Sequence, residues 1–107
     1  IVEWASEEIV ISYRNIVDGK MHRYFPDFWI RKINNDITLV EIKPSTQSVP
    51  PQKKSKITKR YIEEVTTWGT NLSKWRAAQQ YCDKRGWAFM VLTEKGEANR
   101  WRQYLTS

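Results

Sequence analysis

The 107-residue sequence has one cysteine, Cys82, one histidine, His22, and only four glycines and four prolines. A lone cysteine forms no internal disulfide and supplies no Cys-rich metal cluster, so the sequence points to a reducing, cytosolic compartment. No apolar run approaches the roughly 20 residues that a membrane span needs. The N-terminus lacks the basic stretch, apolar stretch and small-residue cleavage site of an export signal. A soluble, unexported protein is expected. The chain starts at Ile1 rather than at a methionine and runs straight into a structured-looking segment, so upstream sequence is expected as well. Repeats and low-complexity tracts are absent.

What the sequence does have is core-forming material. Six tryptophans, 13% aromatic and 40% hydrophobic residues exclude an intrinsically disordered segment. At this length a single core is expected, so 1–107 is read as one domain. Eighteen Lys and Arg against twelve Asp and Glu leave a net charge of +6. That charge suits a polyanionic partner such as nucleic acid, although small basic proteins without such a partner share it.

Residues 9–14 are β-branched and aromatic and read as a strand, followed by turn chemistry at Asp18-Gly19. A second strand is expected over 21–33, with Pro26 marking an edge, a bulge or a bend. After a turn at Asn34-Asn35-Asp36, residues 37–43 read as a third strand ended by Pro44. Three consecutive antiparallel strands follow. Residues 45–57, with Pro50-Pro51 and three lysines, read as an exposed basic loop. Helices are expected over 58–68 and from an N-cap at Asn71 to a stop at Gly86. A buried strand at 87–92 and a short helix over about 94–105 complete the chain, with Trp101 and Leu105 facing inward. This order gives an α/β (α+β) fold, a mixed sheet with helices packed on it.

Chemistry gathers at Pro26-Asp27 and Glu41-Ile42-Lys43. Alternation in a strand points Glu41 and Lys43 one way, and Val40 and Ile42 the other way, into the core. The turn at Asn34-Asn35 lies midway between 27 and 41, so Asp27 and Glu41 are expected as cross-strand neighbours. Adjacent carboxylates repel unless a cation lies between them, and oxygen ligands of this kind suit Mg²⁺ or Mn²⁺. Such an ion supports phosphodiester hydrolysis. Lys43 is placed to orient or deprotonate the attacking water, or to neutralise the scissile phosphate. Three such residues on a half-exposed strand are also what a solvated surface carries. Their context of adjacent strands, an apolar opposite face and a basic loop sets them apart.

The pattern matches the PD-(D/E)XK signature, and longer words reinforce it. Val2-Glu3-Trp4-Ala5-Ser6-Glu7-Glu8, His22-Arg23-Tyr24-Phe25-Pro26-Asp27-Phe28, Leu39-Val40-Glu41-Ile42-Lys43-Pro44, Trp68-Gly69, Lys74-Trp75-Arg76-Ala77-Ala78, Tyr81-Cys82 and Gly86-Trp87-Ala88-Phe89 span nearly the whole chain. In these words the sequence resembles the head completion nucleases of T-even-type tailed phages. It is similar, more distantly, to TnsA-type transposon-end endonucleases. The resemblance implies a restriction-endonuclease-like fold, with Asp27, Glu41 and the Ile42 backbone carbonyl as metal ligands and Lys43 as the catalytic lysine. It implies an enzyme that acts on double-stranded DNA with Mg²⁺ or Mn²⁺, in the virion and host cytoplasm, alongside portal, head or neck proteins. The family pattern also has an acidic residue on a helix before the first strand. Here either Glu7 or Glu8 substitutes, or a segment upstream of Ile1 supplies it. A structural head-neck adaptor and a transposon-end nuclease subunit are the alternative functions.

Lys53, Lys54, Lys56, Lys59 and Arg60 suit phosphate contacts, or simply a solvated loop. His22 suits a structural role better than proton transfer, since it falls on the strand face opposite Asp27. Trp68, Trp75, Trp87 and Trp101 are spaced for core packing rather than base stacking. Cys82 reads as a small buried hydrophobe.

Overall fold

A computed structural model describes residues 2–105. Its centre is a five-stranded mixed sheet in the order β1-β4-β5-β6-β7. The strands are β1 (Glu3–Ser6), β4 (Phe28–Arg31), β5 (Ile37–Ile42), β6 (Ala88–Thr93) and β7 (Gly96–Ala98). A separate two-stranded sheet holds β2 (Ile11–Arg14) and β3 (Met21–Tyr24). One 27-residue helix, α1 (Lys59–Arg85), joins β5 to β6. These two strands are parallel neighbours, and a parallel pair needs such a crossover. The architecture is mixed α+β, consistent with a restriction-endonuclease-like fold.

The strands differ from the sequence expectation in three ways. The stretch 21–33 is two strands, because the chain bends at Phe25-Pro26-Asp27, where proline cannot donate to a ladder. The expected three-stranded run is therefore two hairpins, β2–β3 and β4–β5, in different sheets. In addition β1, which the sequence did not suggest, pairs along β4. Glu7 and Glu8 thus follow a first strand rather than precede it.

The two expected helices are one. Trp68-Gly69-Thr70-Asn71 reads locally as a stop and a restart, yet α1 continues through it. The break is overridden by packing. A Cβ on Gly69 would sit 3.0 Å from Val17 Cγ2 in the β2–β3 turn, so the glycine allows the hairpin to approach the helix. Asn71 is buried within the helix, while the N-cap is Thr58, whose side chain accepts from the Tyr61 N–H at 3.1 Å. Gly86 stops the helix as expected, in the left-handed conformation at φ 70°. The closing helix expected over 94–105 is instead β7 followed by a short 3₁₀ helix, Arg100–Tyr104.

The core lies between α1 and one face of the large sheet. Trp68, Leu72, Trp75, Ala78 and Cys82 recur at helical spacing along α1 and meet Leu39, Phe89, Val91 and Trp101. Trp75, Trp101, Leu39, Val91 and Cys82 are fully buried. All four tryptophans assigned to packing pack in or against this core, and burial pushes the Cys82 thiol up to about 11, as suits an unreactive side chain. Because Leu39 faces the helix, alternation sends Glu41 to that same side. The expectation that Val40 and Ile42 point into this core is therefore corrected. Val40 is buried on the opposite face, and Ile42 is 47% exposed.

Candidate active site

Asp27 sits in the bend just before β4, and Glu41 is next to last in β5. The β4–β5 ladder pairs Phe28 with Val40, and one further step along it sets Asp27 opposite Glu41. The expected neighbours do meet. The Ile42 N–H donates to Asp27 Oδ2 at 2.8 Å, which fixes that carboxylate against the end of β5.

Glu41 differs from the half-exposed residue that the sequence suggested. It is only 5% exposed, because β5 is central in the sheet and its Glu41 face lies under α1 and the β2–β3 hairpin. The Tyr24 hydroxyl, from the end of β3, donates to Glu41 Oε2. Burial and a hydrogen bond shared with Asp27 push the Glu41 carboxyl up to about 7, while the Tyr24 hydrogen bond and the Lys43 charge pull it down. Burial and the Glu41 charge also raise the Tyr24 hydroxyl, which keeps it a donor.

Lys43 is half-buried, one alternation beyond Glu41 and near enough to act on its charge. Its N–H donates to the Leu92 carbonyl at 3.0 Å, so its backbone is tied to β6. Just past β6, Glu94 accepts the Ser45 N–H at 2.9 Å and the Ser45 hydroxyl at 2.6 Å. Those bonds hold the Glu94 carboxyl below the usual range and pin the segment that follows Lys43-Pro44.

The structure brings together Asp27, Glu41 and Lys43, and adds Tyr24. It does not add Glu7 or Glu8. Both are exposed, and only the Glu7 backbone reaches the site, its N–H donating to the Asp27 carbonyl at 3.3 Å. Among the described residues no group of three or more His, Cys, Asp or Glu side chains is placed to hold a metal. Lys53, Lys54 and Lys56 lie in the expected exposed loop, and Lys59 and Arg60 begin α1. No hydrogen bond or ion pair among the described residues links these five to the carboxylates; Arg60 pairs with Glu64 at 3.5 Å. His22 pairs with Asp18 at 2.8 Å and stacks on Tyr13 in the hairpin, which fits its structural reading.

Tyr24 escaped the sequence reading because it lies in a different sheet from Glu41, and strand register relates only residues of one ladder. The one signal available was chemical: a buried tyrosine hydroxyl requires a partner.

The sequence model of the TnsA-like endonuclease N-terminal family matches residues 1–94. The chain belongs to this TnsA-like endonuclease family. The head completion nuclease of Enterobacteria phage T4, a curated relative, is 41% identical over 100 residues, covering 90% of this chain and 67% of the relative. No solved structure matches the chain. Within the TnsA-like region fall every strand from β1 to β6 and all of α1, so the carboxylate pair, Lys43 and Tyr24 lie inside the matched segment. No helix among the described residues is long and apolar enough to cross a membrane.

Proposed function

We propose that this protein is a metal-dependent DNA nuclease of the PD-(D/E)XK type that acts in phage head completion before head-tail joining. The observation that carries the reading is the juxtaposed Asp27–Glu41 pair, with Lys43 on the same strand face. The donor set fits a hard divalent cation. Two carboxyls lie side by side in a partly buried site, and Glu41 is raised first by burial and then by Asp27, a cost that a bound cation would relieve. Asp27, Glu41 and the Ile42 backbone carbonyl would hold Mg²⁺ or Mn²⁺. The chemistry such an ion supplies is stabilisation of charge developing at the scissile phosphate and easier deprotonation of water.

The chain's own residues do the rest. Lys43 either orients and deprotonates the attacking water or neutralises a phosphate oxygen. The water oxygen forms a bond to phosphorus, the bond to the leaving oxygen breaks, and that oxygen takes up a proton. Lys53, Lys54, Lys56, Lys59 and Arg60 contact the backbone of double-stranded DNA without reading its sequence. Portal, head or neck proteins are the partners in the particle, and the protein acts in the host cytoplasm and the virion. The head-completion role is supported by the identity to the T4 relative. The family match also favours a second reading, cleavage at transposon ends, which requires a dedicated DNA-binding partner.

Lys43→Ala is the test. Mg²⁺-dependent plasmid cleavage is expected to fall at least ~100-fold, the scale of a lost acid–base or charge-stabilising group, with an unchanged circular dichroism spectrum. Retained cleavage sinks the assignment of the chemistry to Lys43 and the PD-(D/E)XK site. Normal particles assembled with the inactive variant would favour the structural head-neck adaptor, and cleavage by the chain alone counts against the transposon-end reading.

A further inference from the structure

Each carboxylate of the pair is held by one donor from a different part of the fold. Asp27 Oδ2 takes the Ile42 N–H at 2.8 Å, a backbone group of the same sheet. Glu41 Oε2 takes the Tyr24 hydroxyl, from the other sheet. Tyr24 is 4% exposed, and its ring is fixed on several sides. Tyr13 meets it edge-on at 6.4 Å and 86°, and Lys74 of α1 places its Nζ 5.7 Å from the ring centroid. Its backbone pairs with Ile11 across the hairpin. The hydroxyl is therefore a rigidly mounted donor.

We propose that Tyr24 is a positioning residue whose hydroxyl clamps Glu41 Oε2 and so aims the other Glu41 oxygen, with that of Asp27, at one divalent cation. The inference rests on the metal-site reading above. A glutamate has one more rotatable bond than an aspartate, so a backbone N–H suffices for Asp27 while Glu41 needs a second anchor. Lysine or arginine in that place would cancel the carboxylate charge that attracts a cation. A neutral phenol orients the carboxylate and leaves its charge in place, the usual division of labour between a metal ligand and the group behind it.

Mn²⁺ binding without DNA, measured by titration calorimetry on the full chain, separates the possibilities. Asp27→Asn is expected to lose binding, and Tyr24→Phe to bind about 10- to 100-fold more weakly, the range for removing a partner behind a ligand. Tyr13→Phe, which removes a hydroxyl from the same hairpin without touching Glu41, is expected to bind as wild type does. Wild-type affinity in Tyr24→Phe, with binding lost in Asp27→Asn, overturns the clamp and spares the metal site. Wild-type affinity in Asp27→Asn overturns both. Equal losses in Tyr13→Phe and Tyr24→Phe mean a loosened hairpin and also overturn the clamp. Should Tyr24→Phe not fold, 3-fluorotyrosine at position 24 keeps the packing and strengthens the donor, and an unchanged Mn²⁺ affinity then overturns the proposal.

Discussion

At the scale of single residues, the site is a carboxylate kept where water would not keep it. Glu41 is 5% exposed and its carboxyl is raised to about 7 from an ordinary 4.5, chiefly by burial and then by Asp27. A carboxyl raised in the folded state is better tolerated protonated than ionised. Its favourable contribution is complete below the unfolded value and is lost as pH rises through the folded one. The cation-free protein should accordingly lose stability between about pH 4.5 and about pH 7, by an amount on the order of 3 kcal/mol. Asp18 and Glu94 are shifted the other way, so their effects fall at lower pH. Urea denaturation in EDTA across that range checks the slope, and Glu41→Gln should flatten it. The Asp27–Glu41 adjacency was legible in the sequence because a short hairpin fixes register from its turn. The burial of Glu41 was not, because it depends on β6 joining β5 from about 50 residues further along the chain.

At the scale of elements, α1 and the β2–β3 hairpin are joined by a small polar junction. Ser73 Oγ accepts the Ile16 N–H at 3.0 Å and donates to the Gly69 carbonyl at 2.9 Å. Asn15 Nδ2 donates to Thr70 Oγ1 at 3.1 Å, while Asn15 Oδ1 accepts the Val17 N–H at 2.9 Å. This junction holds the hairpin, and with it Tyr24, over the large sheet. Ser73→Ala strands the part-buried Ile16 N–H and should lower stability by about 1–2 kcal/mol, the cost of an unmet donor. Equilibrium denaturation measures that loss, and a neutral result would mean that the Ser73 bonds do not help to hold the hairpin. The same junction explains why the sequence suggested two helices. Glycine disfavours a helix interior by about 1 kcal/mol relative to alanine, and asparagine favours an N-cap. Both local preferences are real, but the fit of Gly69 beneath Val17 is a tertiary fact that no window of α1 contains. At the other end of α1, Gly86 was legible, since its left-handed φ is a property of one residue.

At the scale of the whole molecule, the net charge of +6 bears on how the protein meets DNA. Composition gives the sum of charges, not their distribution, and the fold shows that part of it is concentrated in one place. Lys53, Lys54 and Lys56 lie in an exposed loop between the end of β5 and the start of α1, and none makes an ion pair among the described residues. Unpaired cations on extended backbone can follow a phosphate chain, and each phosphate neutralised releases counterions. Replacing all three with alanine should weaken binding to any duplex, whatever its sequence. It should also reduce the slope of log affinity against log salt by up to roughly 0.9 for each phosphate that is no longer neutralised. Fluorescence anisotropy on a labelled duplex at several salt concentrations reads both quantities, and Lys43→Ala is the fitting background because it is expected to remove cleavage. An unchanged slope would mean that the loop is a solvated surface and that the protein meets the phosphates elsewhere. A reduced slope with unchanged cleavage of saturating DNA would place the loop in capture of the substrate rather than in the chemical step, which the Asp27–Glu41 pair and Lys43 would then carry without it.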